Sequence, residues 1–297
     1  MMDIEGSGSI RLRAPGIDPG LLERRARLRA ILGEMGRTLV AYSGGVDSAY
    51  LLSEANQVLG DRAVGVIGRS PSLPAAELDG ALALAASRGI PVRVVETHEM
   101  ERAAYRANGP DRCYHCKTEL FERLGAIASD EGWDSLAYGA LVDDLGDVRP
   151  GMAAAERYRV RAPLLEAGLG KLDVRILARE GALPVWDKPQ SACLASRISH
   201  GSAVTPEKLS QVERGEAWLR VAFGLRVVRL RHDGDRARIE VLPADIARIS
   251  TPASKTTIYL ELNKLGFCQI EIDPGGYSRA DPHPTEDPEV MADAEAR

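Results

Sequence analysis

Residues 38–48 read TLVAYSGGVDS, a short apolar run followed by two glycines between serines. The run Thr38–Tyr42 has the length and composition of a buried strand, and a helical pattern starts at Asp47. A glycine turn between a strand and a helix lets the backbone approach a ligand closely. The start of the helix then offers free N–H groups and the positive end of its dipole. The stretch therefore predicts an anion-binding loop, to which Ser43 and Ser48 add hydroxyl donors.

Strands and helices alternate on both sides of this loop. The further strands are predicted at residues 63–67, 92–95 and 135–138. The helices are predicted at residues 18–35, 47–59, 74–88, 117–131 and 171–180. This alternation favours an α/β fold, a doubly wound parallel sheet with helices on both faces.

The pattern changes after about residue 200, and it predicts a second, smaller α+β domain. A helix is expected from Thr205 to Phe223, followed by a hairpin of residues 225–231 and 236–242 around an Asp-Gly-Asp turn, and then by two helices and a last strand at residues 267–272. We therefore divide the chain into a mobile arm, a sheet domain, a small domain and a disordered tail, at residues 1–17, 18–199, 200–278 and 279–297.

The bulk composition argues against several classes of protein. The chain has 297 residues, a net charge of −5 and 44% hydrophobic residues. No apolar run approaches the roughly 20 residues that span a bilayer, and the N-terminus lacks the apolar stretch of a signal sequence. We expect a cytoplasmic protein without a membrane partner, and the negative charge does not favour a broad nucleic-acid-binding surface.

Polar residues follow the predicted strands where a parallel sheet binds its ligands, beyond the carboxyl ends of the strands. Ser70 follows the second strand and could contact an adenosine. Asp143, Asp144 and Asp147 follow the fourth strand, in a glycine-rich loop. These carboxylates could coordinate Mg²⁺ or orient a nucleotide, and turn or capping roles are the alternative.

Three of the four cysteines form a possible site. Cys113 and Cys116 form a CxxC pair just before a predicted helix, and Cys193 lies far along the chain. The spacing leaves three kinds of site open: an iron–sulfur cluster with three thiolate ligands, a zinc site with His115 as a fourth ligand, and a redox-active dithiol. Inert packing of the thiols is the remaining alternative. The fourth cysteine, Cys268, is expected to be a packed thiol.

Several charged residues are candidates for binding the substrate. Arg229 and Arg231 alternate on one predicted strand and share a face, which suits a phosphate. Arg197 could stabilise developing negative charge or a substrate phosphate, and Lys117 could neutralise the charge of a cluster or phosphate. A substrate or metal role is conceivable for two further carboxylates, but ordinary surface positions are the expectation for them: Glu216 and Glu240.

Four segments together carry a family resemblance. SGGVDS matches the SGGxDS signature of the PP-loop ATP pyrophosphatases, and it lacks the Gly-Lys-Ser/Thr ending of a Walker A loop. With DRCYHCK at residues 111–117, GALVDDLGDVRPG at 139–151 and SACLASRI at 191–198, the chain resembles the LarE family over residues 28–277. These enzymes are ATP-dependent sulfur transferases of nickel-pincer cofactor biosynthesis.

The resemblance implies a reaction. A carboxylate of pyridinium-3,5-biscarboxylic acid mononucleotide is adenylated by ATP, pyrophosphate leaves, and sulfur then displaces AMP. Repetition gives the bis-thiocarboxylic acid. Adenylation supplies the leaving group that a free carboxylate lacks, and a sulfide or thiolate is an effective nucleophile at neutral pH. The implied partners are the mononucleotide, a sulfide source and further copies of the chain in a homo-oligomer, with a hexamer as our expectation.

The resemblance also implies roles for residues. Asp47 would help to hold Mg²⁺, and Arg229 and Arg231 would bind the phosphoribosyl group. In some members a cysteine at the position of Cys193 gives up its own sulfur, whereas three-cysteine members hold a four-iron, four-sulfur cluster. This chain has all three cysteines, which favours the cluster with Cys113, Cys116 and Cys193 as ligands. The loop that would bind ATP comprises Ser43, Gly44, Gly45, Val46, Asp47 and Ser48.

Three other activities compete with this interpretation. A tRNA thiolation enzyme also pairs such a loop with cysteines, but it would be expected to carry a basic surface or an RNA-binding appendage. A redox or metal sensor would bind nucleotide without turnover. An amidating enzyme, such as an NAD synthetase, would use ammonia in place of sulfur.

Overall fold

The four strands predicted in the first half of the chain form one parallel sheet. In a computed structural model they are β1 (Thr38–Ala41), β2 (Ala63–Arg69), β3 (Val92–Glu96) and β4 (Ser135–Tyr138), in the order β3-β2-β1-β4. The central strand β1 is apolar and its four residues are buried. The structure describes residues 18–145, 150–190 and 192–277.

Helices surround this sheet and continue into the second half of the chain. Asp18 accepts a hydrogen bond from the Leu21 amide and caps the first helix. The helices are α1 (Pro19–Gly33), α2 (Val46–Leu59), α3 (Ala75–Ser87), α4 (Ala103–Arg106), α5 (Arg112–Glu131), α6 (Pro150–Arg157), α7 (Pro163–Glu166), α8 (Lys171–Glu180), α9 (Pro206–Phe223), α10 (Pro243–Ile249) and α11 (Pro252–Asn263).

The side chains of β1 alternate between two hydrophobic cores. Val40 and the following Tyr42 belong to the core that contains residues of α1, α2, α3 and α8. Leu39 and Ala41 belong to the core that contains residues of α5 and α6. Successive side chains of a strand point to opposite faces, so helices cover both faces of the sheet. The doubly wound α/β fold is therefore confirmed.

The second unit contains a small mixed sheet, as predicted. Strands β5 (Val228–Asp233) and β6 (Arg236–Val241) form an antiparallel hairpin, and β7 (Gln269–Ile272) pairs with β6 in parallel. Residues of α9, α10 and α11 pack on it in a separate apolar core. The domain boundary at residues 199 and 200 stays a prediction.

The expectations for the surroundings of three cysteines are wrong. Helix α5 begins at Arg112, before the predicted start, so that Cys113 and Cys116 lie in its first turns and not ahead of it. Cys268 is exposed because it precedes β7 and is not packed within it. The expectations for Asp147 and for the two chain ends fall outside the described residues. In the part of the chain that is described, no helix combines the length and apolar character that a bilayer crossing requires.

The turn after β1 leaves no room for a side chain at Gly44. This residue has a φ of +72°, and a Cβ there would lie 2.6 Å from the Cβ of Ala81 on α3. Gly80, which precedes Ala81 on α3, is exposed, and a Cβ at Gly80 would meet nothing within 4 Å.

The two glycines should therefore respond oppositely to alanine. Gly44→Ala should lower the free energy of unfolding by about 2–4 kcal/mol, because it combines a left-handed backbone with a clash. The control Gly80→Ala should raise it by about 0.5–1 kcal/mol, since alanine suits a helix better than glycine. Urea denaturation measures both, and equal effects of the two changes would contradict the packing described here.

Candidate active site

The predicted anion-binding loop joins β1 to α2 and is fixed by its own hydroxyl groups. The Ser48 hydroxyl accepts a hydrogen bond from the Ser43 amide at 3.1 Å and donates one to the Gly45 carbonyl at 3.2 Å. Gly45 is the N-cap residue of α2 and provides no side-chain cap. The first amides of a helix have no partner within it, so the amides of Val46, Asp47 and Ser48 are available to an anion.

A cavity of about 250 Å³ opens beside this loop. The carboxyl ends of the four described strands of the parallel sheet, or the residues just after them, contribute to its wall. The lining residues that matter for the chemistry are Ser43, Asp47, Ser48, Ser70, Ser72, Glu99, Cys116, Lys117 and Cys193. Candidates that are far apart in sequence therefore share one cavity at the edge of the sheet.

Asp47 faces this cavity and is paired with a lysine. The Lys171 ammonium group lies 3.1 and 2.9 Å from the two carboxylate oxygens of Asp47. Burial raises the pKa of the Asp47 carboxyl, and the Lys171 charge acts in the opposite direction. Sequence reasoning did not identify Lys171, because its partner lies 124 positions away.

Asp143 and Asp144 do not line this cavity and hold backbone amides in place. Asp143 accepts a hydrogen bond from the Lys171 amide at 2.8 Å and so caps α8. Asp144 accepts one from the Leu141 amide at 2.9 Å. These contacts correspond to the capping and turn roles that the sequence left as the alternative.

The three candidate thiols differ in exposure. Cys116 and Cys193 are partly buried and line the cavity, whereas Cys113 is exposed and does not line it. Burial raises the pKa of the Cys116 thiol, and the nearby negative charge of Glu99 adds to this shift. His115 is hydrogen-bonded to Asp111 at 3.0 Å. Over the described ranges, no three His, Cys, Asp or Glu side chains are arranged to hold a metal ion.

A buried polar group beside the thiols was missed from sequence. Ser72 donates a hydrogen bond to Glu99 Oε1 at 2.9 Å, and the hydroxyls of Tyr105 and Ser72 lie 3.0 Å apart. Glu99 is 2% exposed, and its Oε2 has no hydrogen-bond partner among the described residues. The one available signal was position, since Glu99 comes shortly after the third strand of the sheet.

Arg197 fixes the segment that carries Cys193. Its guanidinium donates hydrogen bonds to the carbonyls of Ala192 at 2.6 Å and Cys193 at 3.0 Å. The same group pairs with Glu216 at 2.9 Å, and both side chains are 1% exposed. Glu216 also accepts a hydrogen bond from the Leu230 amide. Arg197 therefore has the contacts of a positioning residue, and it lines neither this cavity nor the one described next.

A second cavity, of about 500 Å³, lies on the other side of this segment. Arg229 and Arg231 line it from one face of β5, as their spacing predicted. Arg231 pairs with Glu240 at 2.7 Å, and Arg229 lies over the ring of Tyr277 at 5.2 Å. The lining also includes Arg112, Ala192, Ser196, His200, Arg238, Asp273, Gly275 and Gly276.

Two carboxylates of the second unit, Glu216 and Glu240, are not ordinary surface groups. Glu216 is 1% exposed and Glu240 is 8% exposed, so the surface expectation was wrong for both. Each neutralises an arginine of this region, which no local sequence pattern reveals.

One short segment separates the two cavities, because Cys193 lines the first cavity and Ala192 and Ser196 line the second.

Comparisons with known proteins find relatives that match most of this chain. No family model matches the chain. An uncharacterized protein of Synechocystis sp. is 41% identical over 250 residues, which cover 84% of this chain and 93% of the relative. An uncharacterized protein of Methanocaldococcus jannaschii is 28% identical over 240 residues, or 80% of this chain and 89% of the relative.

A third relative has an assigned reaction. The pyridinium-3,5-bisthiocarboxylic acid mononucleotide synthase of Lactiplantibacillus plantarum is 34% identical over 258 residues, which cover 86% of this chain and 92% of the synthase. This degree of identity over most of both chains shows that the chain belongs to the LarE family.

Proposed function

We propose that this chain is an ATP-dependent sulfur transferase. It adenylates the carboxylates of pyridinium-3,5-biscarboxylic acid mononucleotide and converts them to thiocarboxylates in nickel-pincer cofactor biosynthesis. The observation that carries the proposal is the first cavity, which is lined both by the loop around Asp47 and by the thiols of Cys116 and Cys193. The relative named for the bisthiocarboxylic product supports the choice of substrate.

The loop is suited to the adenylation step. The amides at the start of α2 and the hydroxyls of Ser43 and Ser48 bind the β- and γ-phosphates of ATP, and Asp47 binds the accompanying Mg²⁺. The substrate carboxylate attacks the α-phosphorus, the bond to the bridging oxygen breaks, and pyrophosphate leaves with the electron pair. Ser70, which lines the same cavity, contacts the adenosine.

The second cavity is suited to the phosphate of the mononucleotide. Arg229 and Arg231 offer guanidinium groups from one strand face, and two more arginines line the same space. Guanidinium groups bind phosphate through paired hydrogen bonds. A nucleotide held there directs its ring towards the segment 192–196, beyond which the first cavity lies. Lys117 lines the first cavity and offsets negative charge near the thiols.

The thiols are suited to the delivery of sulfur. Cys116 and Cys193 line the first cavity, and Cys113 lies three residues before Cys116, in the first turn of α5. In number and type, three thiolates suit a four-iron, four-sulfur cluster, although the described side chains are not arranged around a metal site. With the thiols brought together, Cys113, Cys116 and Cys193 would hold the cluster, which would supply an iron with an open position for sulfide. Cys113 is the informative ligand, because it is exposed and lies outside the cavity lining. The sulfide source and the homo-oligomer remain predictions.

The adenylation step predicts the products and their dependence on Asp47. With ATP and the biscarboxylate, the chain should release AMP and pyrophosphate. Asp47→Asn should slow pyrophosphate release by about 10²-fold or more, because one metal ligand is lost. The control Asp130→Asn, at an exposed position of α5, should have no effect. Formation of ADP and orthophosphate would exclude the proposed reaction.

The second cavity predicts a selective change in substrate binding. Arg231→Gln should raise the KM for the mononucleotide about 10–100-fold, since a hydrogen bond to a charged group contributes about 1.5–3 kcal/mol. The KM for ATP should stay unchanged. The control Arg236→Gln removes an arginine of β6 that pairs with Glu271 outside the cavity. Steady-state kinetics with each substrate varied decides, and an equal rise in both KM values would argue against a phosphate site here.

The cluster predicts iron binding that depends on Cys113. Protein purified without oxygen should hold about four iron atoms and sulfides per chain. Cys113→Ser should lose the iron and multiple turnover, whereas Cys268→Ser, which changes another exposed thiol, should retain both. Iron analysis and mass spectrometry report the result. An iron-free wild-type chain whose Cys193 loses the mass of one sulfur per turnover would instead establish the sacrificial route.

A further inference from the structure

The phosphate loop lacks a cation of its own. Residues 43–48 contain no lysine or arginine, and they include the negative charge of Asp47. The triphosphate of ATP is strongly anionic, and the pyrophosphate that leaves takes additional charge onto its oxygen. Backbone amides and hydroxyls supply only partial charges, so other segments of the chain have to provide full ones.

Two lysines near the loop have other contacts. Lys188 donates a hydrogen bond to the Gly44 carbonyl at 3.1 Å and pairs with Glu77 at 2.7 Å, so it holds the turn in shape. Lys117 lies on α5, where its ammonium group is 5.7 Å from the centre of the Phe121 ring. It follows Cys116 on that helix and lines the same cavity as the loop, but no contact with the loop is described for it.

Lys171 lies directly against the loop. Its ammonium group contacts both carboxylate oxygens of Asp47, and its side chain is 13% exposed. Asp47 is on the first turn of α2, beside the amides that would receive the phosphates. The Lys171 ammonium group is therefore one side chain, that of Asp47, away from the anion that the loop would bind.

The backbone of Lys171 is held firmly, whereas its side chain has one partner that can be exchanged. The Lys171 amide donates to Asp143 at 2.8 Å, and the preceding Gly170 amide donates to Asp173 at 3.1 Å. Asp173 is in turn paired with Arg24 of α1. A four-carbon stem on a fixed base lets the ammonium group move by several ångströms without a change in the backbone.

Magnesium and Lys171 compete for the same carboxylate. Mg²⁺ prefers carboxylate and phosphate oxygens, and it reaches the loop together with ATP. A divalent ion and an ammonium group repel each other strongly at contact distance in a partly buried site. When the ion takes Asp47, the ammonium group has to leave this carboxylate, and the β- and γ-phosphates bound at the same turn of α2 would offer it a strong negative charge.

We propose that Lys171 is a catalytic residue that guards Asp47 in the nucleotide-free chain and moves onto the departing pyrophosphate when Mg²⁺ and ATP bind. This role rests on the proposed adenylation. The bond between the α-phosphorus and the bridging oxygen breaks as the carboxylate oxygen bonds to phosphorus. The electron pair remains on the pyrophosphate oxygen, whose charge the ammonium group stabilises. Lys171 keeps its protons throughout.

Two measurements on Lys171→Met test the two halves of this role. Without nucleotide, Asp47 loses its competing cation, so Mn²⁺ should bind about tenfold more tightly than to the wild-type chain, as followed by electron paramagnetic resonance. With ATP and the biscarboxylate, kcat for pyrophosphate release should fall about 10²-fold, the usual cost of losing one donor to developing charge. A residue that only stabilised the fold would not tighten metal binding while it slowed the reaction.

Matched variants separate this effect from general damage. Lys264→Met removes a lysine that is paired with Glu261 on α11, and it should change neither quantity. Lys171→Gln keeps hydrogen-bond donors without the charge. It replaces the methionine variant if that variant does not fold, and the same two changes are expected for it. Asp47→Asn combined with Lys171→Met should abolish the tighter Mn²⁺ binding, because the carboxylate that receives the ion is gone.

The outcomes are distinguishable. Tighter Mn²⁺ binding together with slower pyrophosphate release supports the proposal. A change in only one of the two quantities, or in neither, overturns it. Failure of the wild-type chain to form AMP and pyrophosphate overturns the proposed function and the catalytic half together, and the Mn²⁺ measurement then still decides whether Lys171 guards Asp47.

Discussion

The close contact between the turn at Gly44 and the helix α3 determines where everything else in the first cavity lies. The Ala81 side chain is so near that a Cβ at position 44 would clash with it, and the left-handed φ disfavours most other residues for a second reason. This contact aims the amides at the start of α2 past the carboxyl end of β1. The neighbouring strands β2, β3 and β4 then deliver Ser70, Glu99 and Gly139 to the same opening.

Local sequence patterns were sufficient for the elements of the sheet but not for the contacts that complete the site. The bounds of α8 and β4 follow from neighbouring residues, so the sequence predicts them correctly. Lys171 could not be recognised as a site residue from the sequence, because its place in the site depends on its contact with Asp47, which is distant along the chain. Glu99 and Glu216 look like ordinary acidic residues until the fold buries them.

The segment around Cys193 lies between two cavities that differ in the ligands they suit. The first has a phosphate loop, a cation-paired carboxylate and thiols, and the second has arginines with Glu240. A substrate that carries both a phosphate and carboxylates can bridge such a pair of cavities, with one end held by charge and the other presented for reaction. Separate anchoring leaves the reacting carboxylate free of strong competing contacts.

The buried pair of Arg197 and Glu216 connects the segment that carries Cys193 with helix α9 of the second unit. Glu216 accepts a hydrogen bond from the Leu230 amide of β5, and Arg197 donates one to the Cys193 carbonyl, so a chain of three polar contacts connects β5 with the backbone of the cysteine segment. Breaking a buried pair of this kind costs about 3–5 kcal/mol, which makes the connection stiff. The same few hydrogen bonds therefore connect the strand that lines the second cavity with the segment that lines the first.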